Sequence, residues 1–302
     1  MINKLIVNKL SRLDQYIASN TSYSRSQVVK LIKAGNIQIN NKIVTKSSQV
    51  VDVGDEITID FALPDNNTQI IPDDTIEINY LYKDEYLAII NKKRGLVVHP
   101  SSGHKNDTLV NYLLKQDPNF KYEITDINNR PGIVHRIDKD TQGILVIAYK
   151  QNVLELLQQE IQKGKMHREY LALVNGKVKD KLFKVDAPLT KPNHTVRKAK
   201  VNTVSGRNAV THFEFITYKN NVSLLKCKLE TGRTHQIRAH LSFINHPIVG
   251  DTLYGGSNKY LTDGQCLTAY KIEFIHPITK KKIVCFVPLD EYFKKALNYY
   301  YK

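Results

Sequence analysis

Cysteine is scarce: Cys227, Cys266 and Cys285 are far apart, odd in number and set in apolar or alternating sequence. That pattern excludes a disulfide framework and leaves reduced, mostly buried thiols. Long apolar runs are missing as well. The opening MINKLIVNKLSRLD has too short an apolar stretch for a signal peptide, and nothing later approaches the roughly 20 residues that span a bilayer. A cytoplasmic protein without membrane contact is expected. His99, His135, His235, His240 and His246 lack compact ligand spacing and no serine elbow accompanies them, so neither a metal site nor a serine hydrolase is expected. These histidines are read instead as sheet or loop residues that bond backbone groups. No Gly-rich fingerprint follows a strand, which argues against a dehydrogenase. Acid is the last shortage: 29 Asp plus Glu face 44 Lys plus Arg, a net charge of +15. Such an excess concentrates polyanions and makes nucleic acid the natural partner class, with a solvated basic surface as the plainer alternative.

What is present begins with a small module. In SRLDQYIASNTSYSRSQVVKLIKAGNIQINNKIVTKSSQVVDVGDEITI, Ser11 can cap a short helix that turns Leu13 and Ile17 inward. Ser24 with Gln27 forms a capping box for a second helix. Val28, Leu31 and Ile32 then face a core, and Gly35 stops the helix. NIQIN and EITID alternate with period two and read as strands around a VGD turn. The expected domain spans 1–62, and residues 63–75, rich in Pro, Asn and Asp, form a linker.

The remainder, 76–302, holds few helices and many strands. DTLVNYLLKQ and NVLELLQQEIQKG have helical spacing. IEINYLYKDEYLAIINKKRGLVVHP reads as a strand pair turning at Lys92–Gly95, and AVTHFEFITYKNNVSLLKCKLETG and YKIEFIHPITKKKIVCFVPL as short antiparallel strands. An α+β fold follows, with a mixed, mainly antiparallel sheet and peripheral helices. Basic residues recur from Lys177 to Lys200, where Pro188 and Pro192 shape an exposed excursion, and again at Lys280–Lys282. In GIVHRIDKDTQGILVIA an ionic turn separates two apolar segments read as strands, so Asp138 projects from a rigid frame. The ordinary use of Asp138 and Asp140 is to cap that turn.

Longer matches change this reading. RPGIVHRIDKDTQGILVIA, HREYLALVNG and LETGRTHQIRAHLSFINHPIVGDTLYGG, in that order, resemble the RluA-type pseudouridine synthases that act on ribosomal and transfer RNA, most of all the D-type enzymes of the large ribosomal subunit. The front module resembles the S4 RNA-binding domain. The resemblance implies a central cleft in a pseudouridine synthase fold, with Asp138 as the essential catalytic aspartate. Arg136 holds the flipped-out RNA conformation, Tyr170 lies against the target uracil, Arg233 pairs with the catalytic carboxylate, and Ile237 lines the base pocket. In the S4-like part it implies that Arg12, Arg25, Lys30 and Lys33 touch RNA; without the family these are solvated helix faces. Ile137 replaces the usual Leu, Gln142 stands where Ser or Thr is commoner, Arg168 where Lys is frequent, and Thr268 where many relatives have His. These departures bear on substrate choice more than on reaction type.

Such an enzyme breaks the N1–C1′ bond, turns the detached uracil and joins C5 to C1′, so it needs no cofactor and no metal. A guanidinium suits the carboxylate because its planar donors aim the anion. The expected partner is structured RNA, 23S ribosomal RNA or a pre-ribosomal particle, met by a monomer. The rivals are a transfer RNA pseudouridine synthase and a non-catalytic RNA-binding assembly protein.

Overall fold

The computed structural model describes residues 2–21, 23, 25–60, 77–100, 104, 106–120, 131–192, 198–257 and 264–302. The chain divides into two compact units, Met1–Thr68 and Gln69–Lys302. The linker expected at 63–75 lies outside the described residues, as does Ser24 of the expected capping box.

The small unit contains β1 (Ile2–Ile6), β2 (Ser11–Arg12), α1 (Leu13–Asn20), α2 (Arg25–Lys33), β3 (Ile37–Ile39), β4 (Lys42–Ile43), β5 (Val50–Val51) and β6 (Glu56–Asp60). Its main sheet runs β1-β6-β3-β4, and β2 pairs with β5. Leu13, Ile17, Val28, Leu31 and Ile32 pack with Ile37, Ile57 and Ile59 in one core. Ser11 does not cap α1: it pairs with Val51 in β2, and the helix starts after Arg12 without a side-chain cap. Gly35 ends α2 with φ +79°, the left-handed geometry that glycine adopts most cheaply.

The large unit contains β7 (Tyr80–Lys83), β8 (Leu87–Lys92), α3 (Leu109–Gln116), β9 (Gln142–Ala148), α4 (Gln151–Gln162), β10 (His167–Asn175), β11 (Leu182–Asp186), β12 (Val210–Lys219), β13 (Val222–Leu229), α5 (Gln236–Phe243), β14 (Leu267–Ile275), β15 (Lys282–Phe286) and α6 (Glu291–Tyr301). One nine-stranded sheet runs β11-β12-β13-β10-β14-β9-β8-β7, with β15 beside β14. Its pairs are antiparallel except β14–β9. At that parallel junction Gly143 has φ +131°, and a Cβ there would strike the Ala269 carbonyl. The glycine is what lets the two strands close on each other.

The expected strand pair at 76–100 is β7–β8, but it turns at Asp84, whose carboxylate accepts from the Tyr86 and Leu87 amides. Lys92–Gly95 instead leads out of β8. GIVHRID is not a strand in full: among its residues Ile133 makes one isolated bridge to Ile147. Next to it the His135 ring takes the place of a ladder partner, Nε2 accepting from the Val146 amide at 3.3 Å. The basic excursion at 177–200 contains an edge strand, β11, paired along its length with β12.

The run ILVIA is buried throughout because both faces of β9 are covered. Leu145 and Ile147 join Ala88, Ile90 and the apolar side of α3. Ile144, Val146 and Ala148 join Leu87, Ile89 and Val153, Leu154 and Leu157 of α4. The period-two alternation thus locks β9 between two cores, and the turn that carries Asp138 enters this strand directly.

Candidate active site

The turn 138–141 is held at every residue. The Thr141 amide donates to the Asp138 carbonyl at 3.1 Å, and the Gly95 amide to the Lys139 carbonyl at 3.0 Å. Lys92, 1% exposed, sends its ammonium to the carbonyls of Lys139 (2.9 Å), Leu96 (2.8 Å) and Lys93 (2.9 Å). Burial pulls its pKa down to about 7 against the opposing fields of Asp138 and Asp140. Arg94 donates to the Asp140 and Gln265 carbonyls, pairs with Asp290 at 2.9 Å and lies over the Tyr292 ring. Neither cation was singled out in the sequence. Both stand in NKKRG, where consecutive charges read as a solvated turn; the visible hint was a lysine closing the apolar run of β8.

Asp138 faces an arginine, but not Arg233. Arg238 donates through Nη1 to Asp138 Oδ2 at 2.9 Å, while its Nε and Nη2 form a fork on Asp251 at 2.7 and 2.9 Å. Exposure falls along this chain, 22% for the Asp138 side chain, 9% for Arg238 and 1% for Asp251. The buried acid anchors the arginine, and the arginine aims the more open acid. Burial works against the charge of Arg238, but the Asp251 hydrogen bonds and the two carboxylate fields outweigh it and raise its pKa. Arg233 lines the same cleft, yet its Nε donates to the Asn208 carbonyl at 2.9 Å. Its expected pairing with Asp138 is therefore replaced by Arg238, five residues on.

Helix α5 explains the difference. Gln236 anchors its start, accepting from Thr231 Oγ1 and the Arg233 amide and donating to the Val210 carbonyl. This fixes a phase in which Ile237, Arg238 and Leu241 are all buried. Before it, His235 sits in the left-handed region at φ 57°, an uncommon conformation for a residue with a Cβ. Its Nε2 is 4.0 Å from Asp138 Oδ2, and Nδ1 is hydrogen-bonded to the Tyr254 hydroxyl at 3.1 Å. Burial lowers the His235 pKa, so at neutral pH it is a neutral neighbour rather than a second cation.

The cleft, about 1710 Å³, also takes in Tyr170, Ile237 and Arg136. Tyr170, on β10, is buried, which pushes its hydroxyl up to about 12; Arg168 opposes this and Asp138 adds to it. At neutral pH it is a proton donor and a flat apolar face. Arg136 is exposed at the rim and reaches Thr234 Oγ1 at 3.4 Å. The structure thus brings Asp138, Tyr170, Ile237, Arg136 and Arg233 around one space and adds Arg238 and Asp251. Of the five histidines, His99, His135, His240 and His246 do bond backbone groups.

The RNA contacts expected in the other unit have a partner of their own. Asp14, only 2% exposed, accepts from Arg12 Nε and Nη2 at 3.1 Å and from Arg25 Nε at 2.9 Å. Lys30 and Lys33 are exposed on the last turn of α2. No helix among the described residues is long and apolar enough to cross a membrane.

Residues 86–243 match the RNA pseudouridylate synthase family, and residues 11–57 the S4 domain. An uncharacterised RNA pseudouridine synthase of Bacillus subtilis is 35% identical over 286 residues, covering 94% of this chain and 92% of its own length. A ribosomal large subunit pseudouridine synthase D of Xylella fastidiosa is 36% identical, covering 89% of this chain and 82% of its own. In three dimensions the fold is similar to that of human RNA pseudouridylate synthase domain containing 4, with a TM-score of 0.57 at 21% identity over 73% of this chain and 92% of that one. With a catalytic-family match over more than half its length and relatives aligned nearly end to end, the chain belongs to the RNA pseudouridine synthases, isomerases of uridine in RNA, and carries an S4 domain in front.

Proposed function

We propose that the protein isomerises uridines of large-subunit ribosomal RNA, with Asp138 as the carboxylate that acts on the ribose. The observation that carries the role of Asp138 is its geometry. One oxygen is aimed by a twice-anchored arginine, and among the described residues Oδ1 makes no hydrogen bond, so it is left for a reacting atom. Support for the RNA class comes from relatives named for the large ribosomal subunit that align over most of both chains. In this reading the protein works in the cytoplasm as a monomer, on 23S ribosomal RNA or a pre-ribosomal particle.

The target nucleotide leaves its stack and enters the cleft, which costs a few kcal/mol; Arg136 at the rim holds the RNA in that conformation. Asp138 then attacks C1′ or takes the C2′ proton, the latter being the step we favour, and the N1–C1′ bond breaks. Uracil keeps the electron pair of the broken bond, stays between Tyr170 and Ile237, turns and joins C5 to C1′, while Asp138 returns the proton to C2′ or, on the other path, leaves C1′. Arg238 keeps Asp138 aimed while the base displaces water. Last, C5 loses its proton and N1 gains one, so the product is an isomer of the uridine. With its hydroxyl near 12, Tyr170 serves this step by stacking and proton relay rather than as a free base.

The test is to map pseudouridine in ribosomal RNA from cells that express either the native protein or Asp138→Asn at matched levels. Sites formed only with the native protein are expected, and the variant should be slower by at least about 10³-fold. The same sites appearing with Asp138→Asn would overturn the catalytic role. Native protein that modifies no ribosomal RNA would move the substrate to transfer RNA, the next pool to map.

A further inference from the structure

Arg168 lies on β10 two residues before Tyr170, so both side chains leave the same side of the strand. It is 6% exposed and lines the cleft. Unlike Arg238, which is about as buried and has three donors engaged, Arg168 makes no hydrogen bond or ion pair among the described residues, and its Nε is fully buried without a partner. Its guanidinium rests against Gly232: a Cβ at that position would lie 2.9 Å from Nη1. A side chain there would push the cation out of place.

A buried charge without a partner is costly, and a guanidinium does not escape by losing its proton. The acids of the cleft are otherwise engaged. Asp138 and Asp251 are held by Arg238, Glu230 is bonded to His212, and Asp140, the remaining acid of the lining, makes no ion pair with Arg168. Other cations, Arg136, Lys191, Arg207 and Arg233, line the same space. The missing partner is therefore an anion that arrives from outside, and a full negative charge repays the burial better than a neutral carbonyl does.

We propose that Arg168 is a phosphate-binding residue on the floor of the cleft, seating an RNA phosphodiester beside the target nucleotide. The proposal rests on the RNA-isomerase reading above and adds to it a contact to the sugar–phosphate backbone.

The test uses the full chain carrying Asp138→Asn, so that RNA is bound without turnover, and an unmodified large-subunit ribosomal RNA transcript. Affinity is measured as a function of salt. Adding Arg168→Gln is expected to weaken binding about tenfold and to reduce the slope of log K against log salt by roughly 0.7 to 0.9, one phosphate contact. Arg168→Lys should restore most of the slope. Thermal unfolding without RNA separates this role from packing: the Arg168→Gln midpoint should equal or exceed that of its parent, because a buried unpaired charge has been removed. Unchanged affinity and slope would overturn the proposal. So would a weakened affinity with an unchanged slope, which would assign a neutral partner such as a uracil carbonyl. A lowered midpoint without rescue by lysine would make Arg168 a packing residue. No salt-dependent binding by the Asp138→Asn parent itself would instead defeat the underlying ribosomal RNA reading, and the proposal with it.

Discussion

Each unit of this protein contains a three-residue cluster of arginine and aspartate anchored on a buried aspartate, and the two clusters differ in the group they leave open. In the small unit the acid is buried: Asp14 holds Arg12 and Arg25, whose side chains remain 44% and 50% exposed. In the large unit the open group is an acid: the buried Asp251 pins Arg238 through Nε and Nη2, and Nη1 turns to Asp138, the most open member. In both, the concealed group fixes the geometry and the open group is left to work. A polyanion needs cations presented outward, whereas chemistry on a ribose needs an aimed carboxylate.

The sharpest way to break this comparison is to remove the buried arginine. Arg238→Met leaves Asp251 buried and unpaired, so stability should fall by about 3 kcal/mol or more, and the rate of pseudouridine formation by at least about 10²-fold. Arg238→Lys keeps the charge without the fork and should fold better while remaining slow. Arg233→Met should change stability by no more than about 0.5 kcal/mol and raise KM more than it lowers kcat. Single-turnover assays and thermal unfolding check all three. An inactive Arg233→Met beside an active Arg238→Lys would return the aiming role to Arg233.

The next effect lies in the small unit. Asp14→Asn should release Arg12 and Arg25, destabilise that unit by about 1–2 kcal/mol, discounted for the exposure of both arginines, and weaken RNA binding several-fold. The cleft around Asp138 should be unaffected, so kcat at saturating RNA should hold. Filter binding and steady-state rates on the same RNA decide the matter. A loss of kcat with unchanged affinity would end the idea that Asp14 orients RNA-binding arginines.

Much of this arrangement was legible in the sequence, and the misses share one cause. Asp138 stood out because four ionic residues interrupt apolar sequence, and Tyr170 because it belongs to a strand matched by the family. Arg233 and Arg238 lie in the same matched stretch. Choosing between them requires the phase of α5, which depends on where Gln236 anchors its first turn, and requires Asp251, brought in by a turn beyond the helix. A clue was available: an arginine between Ile237 and Leu241 on one apolar face has to be buried and therefore paired. Lys92, Arg94 and Asp14 escaped for a related reason. Period-two and helical patterns report which apolar residues are inside, but a buried charge is identified only by its partner, and Asp290 is 196 residues from Arg94. The Asp84 turn was missed because its two amide bonds come from an aspartate that reads equally well as an exposed charge.

The smallest effect expected is acid dependence, and it can be read for the small unit's cluster by itself. Burial pushes the Asp14 carboxyl upward, but the hydrogen bonds from Arg12 and Arg25 outweigh it and hold its folded pKa below the ordinary carboxylate range. Between that lowered value and the ordinary carboxylate range the unfolded chain binds more protons than the folded one, so stability rises with pH there. The contribution of Asp14 is full above about pH 4 and is lost as pH falls through the folded value. Native protein and Asp14→Asn, unfolded in urea at pH 6.5 and again near pH 3, should therefore differ less at the lower pH. Everything contributed by the Asp138–Arg238–Asp251 cluster is common to both proteins and cancels in the difference. A gap that stays constant across this range would mean that the two arginines do not hold Asp14 as an anion, and that the difference between the clusters is one of position alone.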